Sequence, residues 1–343
     1  MVDCYNVNKI LRARTLSYTR QVLLRMTQLT SKSIPDGSPE DIGELKLTSG
    51  AQKREFLKFG RAMIFLAPSL LLFFSFVFIP LFRTFWLSTY ITDPIGRPAK
   101  FVGTLQYTRL FDTDIFLNSL SRSVQFVLYT VPTVILLSLV LAVLGNLRLK
   151  RISIFRVIFS ITIAVSGATA SLMFLYLYHP SIGSINYFLS LVGLPNVPWL
   201  IDENTALIAV AITSVWLQLG LNTVILLAAM QGISEELYES AMIDGAGGWQ
   251  RFRSITLPLL SSTIFFLVVV DMLAAFQTFT PIHIMTSGGP LDSTNLLVYS
   301  IYREFYFNGK YGLAAAQSIM LFLIMLALTV FQFTVVERKV NYE

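Results

Sequence analysis

Side chains able to carry chemistry are scarce in this chain and fall in two places. One is a mid-chain segment, ESAMIDGAGGWQRFRSITLP (residues 239–258), where Glu239, Asp244, Arg251 and Arg253 stand among glycines between long apolar runs. The other is inside those runs. Asp271 sits in FLVVVDMLAAF, with Thr278 seven residues later; Gln218 and Asn222 are four apart; Gln317 precedes Ser318. Neither set makes a catalytic centre. A phosphate-cradling loop needs G-x-x-x-x-G-K-[ST], and the one Gly-Lys pair, Gly309-Lys310, is followed by Tyr. G-x-S-x-G, H-E-x-x-H and zinc spacings are missing too. The single cysteine, Cys4, allows neither an intrachain disulfide nor a thiolate metal site. His179 and His283 are far apart and near expected helix ends. A membrane enzyme would need carboxylates or histidines clustered at one depth, and these are scattered. The chain is therefore expected to be no enzyme and to hold no metal or cofactor of its own.

The elements that must position these residues are membrane helices. Of 343 residues, 54% are hydrophobic and only 13% charged, about half the charge of an ordinary soluble domain. Six runs reach the roughly 20 residues a spanning helix needs, near 62–82, 123–146, 152–178, 205–231, 259–282 and 313–336. The expected fold is all-α: a polytopic membrane protein of six transmembrane helices. Alternating β-barrel strands of about ten residues do not fit these runs. With the N-terminus cytoplasmic, 19 of the 26 Lys and Arg fall on the inner side, as the positive-inside rule requires. Both termini are therefore expected in the cytoplasm. The same bias accounts for the net charge of +6 without nucleic acid as a partner.

Two further divisions follow. Residues 1–60 read as a cytoplasmic N-terminal extension, part amphipathic helix and part disordered linker (TSKSIPDGSPEDIGE), with no apolar region typical of a secretory signal. Residues 61–343 form the membrane domain. Its outer loops, 83–121, 179–204 and 285–311, are rich in turn residues. Pro195, Pro198 and Trp199 suit a loop lying on the membrane surface.

Within the spans, polar side chains are costly and tend to line cavities. Gln218, Asn222, Asp271, Thr278 and Gln317 are the candidates for a substrate pathway. An interhelical hydrogen bond explains each of them equally simply. Arg156, near the inner end of its helix, reads as an anchor that snorkels to the interface.

The 232–258 segment is too long for a simple connection between neighbouring helices, which takes 2–8 residues. Ser234 is placed to cap a helix whose first turn carries Glu235 and Glu236, as the macrodipole prefers. DGAGG breaks that helix, WQRFRSIT starts a second, and Pro258 is placed to open the next span. The result is a helix–turn–helix outside the membrane, presenting Tyr238, Glu239 and Asp244 to a cytoplasmic partner.

This loop resembles that of the binding-protein-dependent ABC importer permeases. Their pattern is E-A-A, three residues, G, nine residues, I-x-L-P. Here it reads Glu239-Ser240-Ala241, Gly245, then Ile255, Leu257 and Pro258, with Ser240 in place of the middle alanine. SGGP followed by ST, and GLAAAQS opening the last helix, look like the carbohydrate-type members; the closing VERKVNYE looks like the glycerol-3-phosphate type. The resemblance implies a permease subunit in the bacterial inner membrane. Lipid surrounds it, and its partners are a second homologous permease, two ATPase subunits that bind and hydrolyse ATP with Mg, and an extracytoplasmic solute-binding protein. Residues 239–241, Asp244, Gly245, Ile255, Leu257 and Pro258 would form the element that couples to the ATPases. The spans hold no deep cation, which favours a neutral sugar or glycosylated polyol over the alternative, glycerol-3-phosphate. A stand-alone secondary transporter is the remaining rival.

Overall fold

A computed structural model describes residues 63, 65–147 and 149–336. The expectations for residues 1–60 lie outside the described residues. Among the described residues, five helices are long and apolar enough to cross a membrane: α1 (Phe65–Leu87), α3 (Asp114–Gly145), α7 (Glu203–Gln231), the run Ser261–Met285, and one beginning at Tyr311. A sixth crossing exists if α4 (Ile152–Ala164) and α5 (Gly167–Leu177) count as one span, for they meet at 104°. The expected straight helix over 152–178 is thus a broken one. Ser166 breaks it by adopting extended backbone and capping α5, its side chain accepting from the Thr169 amide at 3.2 Å. That cap satisfies an amide that a new helix would otherwise leave open.

Between the spans lie shorter elements. The 83–121 loop contains an antiparallel hairpin, β1 (Tyr90–Thr92) and β2 (Pro98–Phe101), so the fold is not purely helical. Its turn is built by Asp93, whose Oδ1 accepts from the Ile95 and Arg97 amides, and by Gly96 at φ +81°. Helix α2 (Leu105–Phe111) follows. In the 179–204 loop, α6 (Ser184–Leu191) is held by Asn186, which donates to the Val197 carbonyl and accepts from the Trp199 indole. Trp199 is half-buried, its ring 5.5 Å from that of Tyr178.

Beyond α7 come α8 (Glu235–Ile243) and α9 (Gly248–Arg251). The run Ser261–Met285 divides into α10 (Ser261–Phe276) and α11 (Thr280–Met285). Helix α12 (Leu297–Tyr302) precedes α13 (Tyr311–Phe331). Pro80 and Pro258 each follow a five-residue π-helical turn, Phe74–Phe78 and Phe252–Thr256. A proline in a helix lacks an amide and presses on the carbonyl four residues back; the wider turn relieves both. Pro258 therefore sits within a nearly continuous helical run rather than at the first turn of a new helix.

The main core joins α3, α7, α10, α12 and α13 through Phe126, Val134, Leu226, Leu267, Leu297 and Leu321. In lipid such contacts gain little from leaving the solvent, so close packing and polar bonds must hold the helices. Helix α7 is the central piece: 56% of its apolar window is buried, against 33% for α3, the 261–285 run and α13. Ala206, Ala209, Ala211 and Gly220 on α7, and Ala314–Ala316 on α13, keep the buried faces narrow.

Candidate functional site

The loop between α7 and α10 folds as a helix–turn–helix. Glu235 and Glu236 occupy the first turn of α8; Ser234 stands at its N-cap, but its side chain makes no capping bond. The helix ends in a Schellman turn. The Ala246 amide donates to the Ala241 carbonyl at 2.8 Å, and the Gly245 amide to Met242 at 3.1 Å. This geometry needs a left-handed residue, which Gly245 supplies at φ +80°. Gly247 then starts α9, and the chain winds through Ile255, Leu257 and Pro258 towards α10. Tyr238, expected to face a partner, instead turns inward: its hydroxyl lies 2.9 Å from Thr256 Oγ1 and ties the two arms together. Thr256 is buried.

Glu239, Ser240 and Asp244 are exposed. Asp244 is at the C-cap of α8, where the helix dipole disfavours a negative charge, so helix stability does not account for it. Large apolar side chains are also uncovered here: Ile243 is 87% exposed and Trp249 72%. A cleft of about 670 Å³ opens under the loop, lined by Glu235, Glu239, Met242, Arg251 and the ends of α3 and α7. The Arg251 Nε is buried in it with no hydrogen-bond partner among the described residues. A charged, apolar-tipped, stiff projection with open space beneath suits a protein partner, not a small substrate.

The five polar residues of the spans divide. Asn222 and Asp271 are 2% and 4% exposed, and the Asn222 amide donates to Asp271 Oδ2 at 2.6 Å, joining α7 to α10. Gln317 is buried and accepts from Ser300 Oγ at 3.4 Å, joining α13 to α12. Thr278 lies in the break between α10 and α11, is half-buried, and donates to the Ala274 carbonyl at the end of α10. Gln218 is half-buried. Arg156, read from the sequence as a snorkelling anchor, donates its Nε to the Gly145 carbonyl at 2.9 Å and so caps α3, where a cation favours the helix dipole.

Sequence reasoning missed the partners of this inner set. Gly220 donates its amide to Thr162 Oγ1 at 3.1 Å, and Ser138 lies 3.5 Å from the Leu219 carbonyl. An isolated glycine inside a helical pattern was the available signal, since it commonly marks close packing.

A model of the family described as "Binding-protein-dependent transport system inner membrane component" matches residues 101–342. The chain belongs to that family. The resemblance carried by the loop therefore holds: this is a permease component of an ABC importer. Among its relatives, the sn-glycerol-3-phosphate transport system permease protein UgpA of Pectobacterium atrosepticum is 36% identical over 283 residues, covering 82% of this chain and 95% of that one. UgpA of Agrobacterium fabrum is 36% identical over 280 residues, covering 81% and 95%. A solved bacterial ABC transporter involved in the import of the acidic polysaccharide alginate has a similar fold, with TM-score 0.72 and 23% identity over 83% of this chain and 96% of the other. A second structure, of an alginate transporter with its pentasaccharide-bound periplasmic protein, gives TM-score 0.69 at 23% identity, covering 82% and 93%.

Proposed function

We propose that this chain forms one half of the translocation pathway of an importer for a sugar or glycosylated polyol, driven through residues 232–258 by ATPase subunits. The observation that carries this reading is the exposed helix–turn–helix with its Gly245 Schellman turn, flanked by two membrane helices. Its ordered backbone makes it a strut. Its uncovered Ile243 and Trp249, with exposed Glu239 and Asp244 in the same segment, offer apolar and acidic side chains to a cytoplasmic subunit. Both termini lie on that same cytoplasmic side. A second homologous permease completes the pathway, two ATPases dock below and a solute-binding protein above. ATP binding moves the loop, and the helices rock between inward- and outward-facing states.

Of the pathway candidates, Gln218 and Thr278 make no bond to another span among the described residues and are free to meet substrate. Asn222, Asp271 and Gln317 would reach it only by breaking the bonds they make. A phosphate ester would be helped by a cation in the pathway. The Lys and Arg of this chain lie instead towards the span ends. Glycerol-3-phosphate is nonetheless the second reading, favoured by the relatives' names.

The test is purification in mild detergent from its native membrane. Co-purified ATPase subunits are expected, with ATP hydrolysis stimulated by one solute-binding protein. Calorimetry of that binding protein against sugars, glycosyl-polyols and glycerol-3-phosphate then names the substrate. Transport by the chain alone, driven by an ion gradient, would establish the secondary transporter instead. A cysteine placed at exposed Ser254 should label only from the cytoplasmic side.

A further inference from the structure

One turn of α7 carries bonds to three other spans. The Leu219 carbonyl faces Ser138 Oγ of α3 at 3.5 Å. The Gly220 amide donates to Thr162 Oγ1 at 3.1 Å, and that hydroxyl in turn donates to the Phe159 carbonyl at 3.2 Å, both on α4 beside its break. The Asn222 amide reaches Asp271 of α10 at 2.6 Å. Ser138, Thr162, Asn222 and Asp271 are all buried. These are the interhelical polar contacts that give a lipid-embedded bundle its directional cohesion.

The position of this turn matters as much as its bonds. Asn222 is nine residues from the end of α7 at Gln231, and Asp271 ten from the start of α10 at Ser261. At 1.5 Å per residue they lie about 14–15 Å from those helix ends. The two helices that hold the coupling loop are thus pinned to each other at one depth, and between that pin and the loop they pack through apolar side chains such as Leu226, Met230 and Leu267. A polar bond in a low-dielectric interior is costly to leave unpaired, so separation at that level is resisted more than sliding between the apolar side chains nearer the loop.

We propose that the turn Leu219–Thr223, with Asp271, Thr162 and Ser138, is the fulcrum through which displacement of the coupling loop becomes a tilt of the spans at the opposite end. Asn222 and Asp271 are its positioning residues: the bond between them makes α7 and α10 turn as one body. The proposal rests on the coupling role given above to residues 232–258.

The experiment measures two distances in the assembled transporter with its ATPase subunits, in a Cys4→Ser background. Spin labels at Ser254→Cys and Lys150→Cys report the loop; labels at Ile115→Cys and Asn204→Cys report the far ends of α3 and α7. All four sites are exposed. Addition of ATP and Mg is expected to shift both distances in the parent. In Asp271→Leu the loop distance should still shift and the far-end shift should be lost. The exchange Asn222→Asp with Asp271→Asn rebuilds the amide–carboxylate bond in reverse and should restore the far-end shift. Where Asp271→Leu fails to assemble, Asn222→Ala takes its place, since it removes bulk rather than adding it. A far-end shift that persists in the single variant overturns the proposal, as does an exchange that assembles without restoring it. If the loop distance in the parent does not respond to ATP, the coupling reading itself fails and the fulcrum falls with it.

Discussion

Gly220 lies within the helix α7, and a methyl group there would run into Thr162 Oγ1 and the Phe159 carbonyl. Gly245, between α8 and α9, is the reverse: an added Cβ would meet nothing within 4 Å, yet the backbone stands at φ +80°. The first glycine supplies room and the second supplies a conformation. The difference separates two parts of one machine. Around Gly220 the chain is packed, bonded on several sides and intolerant of volume. Around Gly245 it is bare, and shape alone matters. A force applied at the bare end can reach the membrane only through the packed one.

The contrast is broken most severely at the packed glycine. Gly220→Ala should push α4 from α7 and cost about 1–3 kcal/mol, as overpacking does. The expected result is a lower unfolding midpoint for the purified protein in detergent. Adding Thr162→Ala should recover only part of the loss, because the Phe159 carbonyl belongs to the backbone and stays. Full recovery would mean that the hydroxyl alone sets the spacing, and an unchanged midpoint would mean that the helices do not meet as closely as described.

At the bare glycine the same logic predicts a smaller and different effect. Gly245→Val forces a β-branched residue into the left-handed region, at a local cost of about 1–2 kcal/mol. Gly245→Asn should cost less, since Asn tolerates that region. Neither touches a span, so membrane insertion should be normal. In the complex with its ATPases, ATP hydrolysis stimulated by the binding protein should fall in the order Gly, Asn, Val. Equal activity in all three would show that the aim of the two loop helices does not matter.

The same two places show what could be read from the sequence. The loop was legible because its signals are local: glutamates in a first turn, a glycine after the last one, an I-x-L-P at fixed distance. The spans were legible because length and apolarity are enough, although α3 begins at Asp114, ahead of the expected 123, since its first turns are polar. The inner turn of α7 was not legible. Its bonds join residues 49, 58 and 81 positions apart, and no local pattern announces such pairs. The break at Ser166 was hidden for another reason: four residues of SGAT between apolar runs vanish in any average long enough to find a span. Tyr238 looks free on α8 from local sequence alone, because the partner of its hydroxyl, Thr256, lies eighteen residues on. Polar residues in spans could be listed from the sequence, but only the fold tells which of them bond one another.

The gentlest test of the comparison is Glu239. It is exposed on α8 and lines the cleft under the loop, with no part in the Tyr238–Thr256 bond that closes it. A surface substitution away from caps and cores usually changes stability by less than about 0.5 kcal/mol. Glu239→Ala should therefore leave the unfolding midpoint of the purified chain where it was, unlike Gly220→Ala. Its effect should appear only when the ATPases are added, as weaker co-purification that worsens with salt, because an exposed charge is screened within about 8 Å at physiological ionic strength. Glu239→Gln keeps the shape and the helix propensity and removes only the charge. If Gln behaves as Ala, the charge carries the docking; if Gln behaves as the parent, shape and hydrogen bonding carry it. A midpoint that falls with either variant would place Glu239 in the packed part of the molecule, and the division between a bare, docking end and a packed, transmitting one would have been drawn in the wrong place.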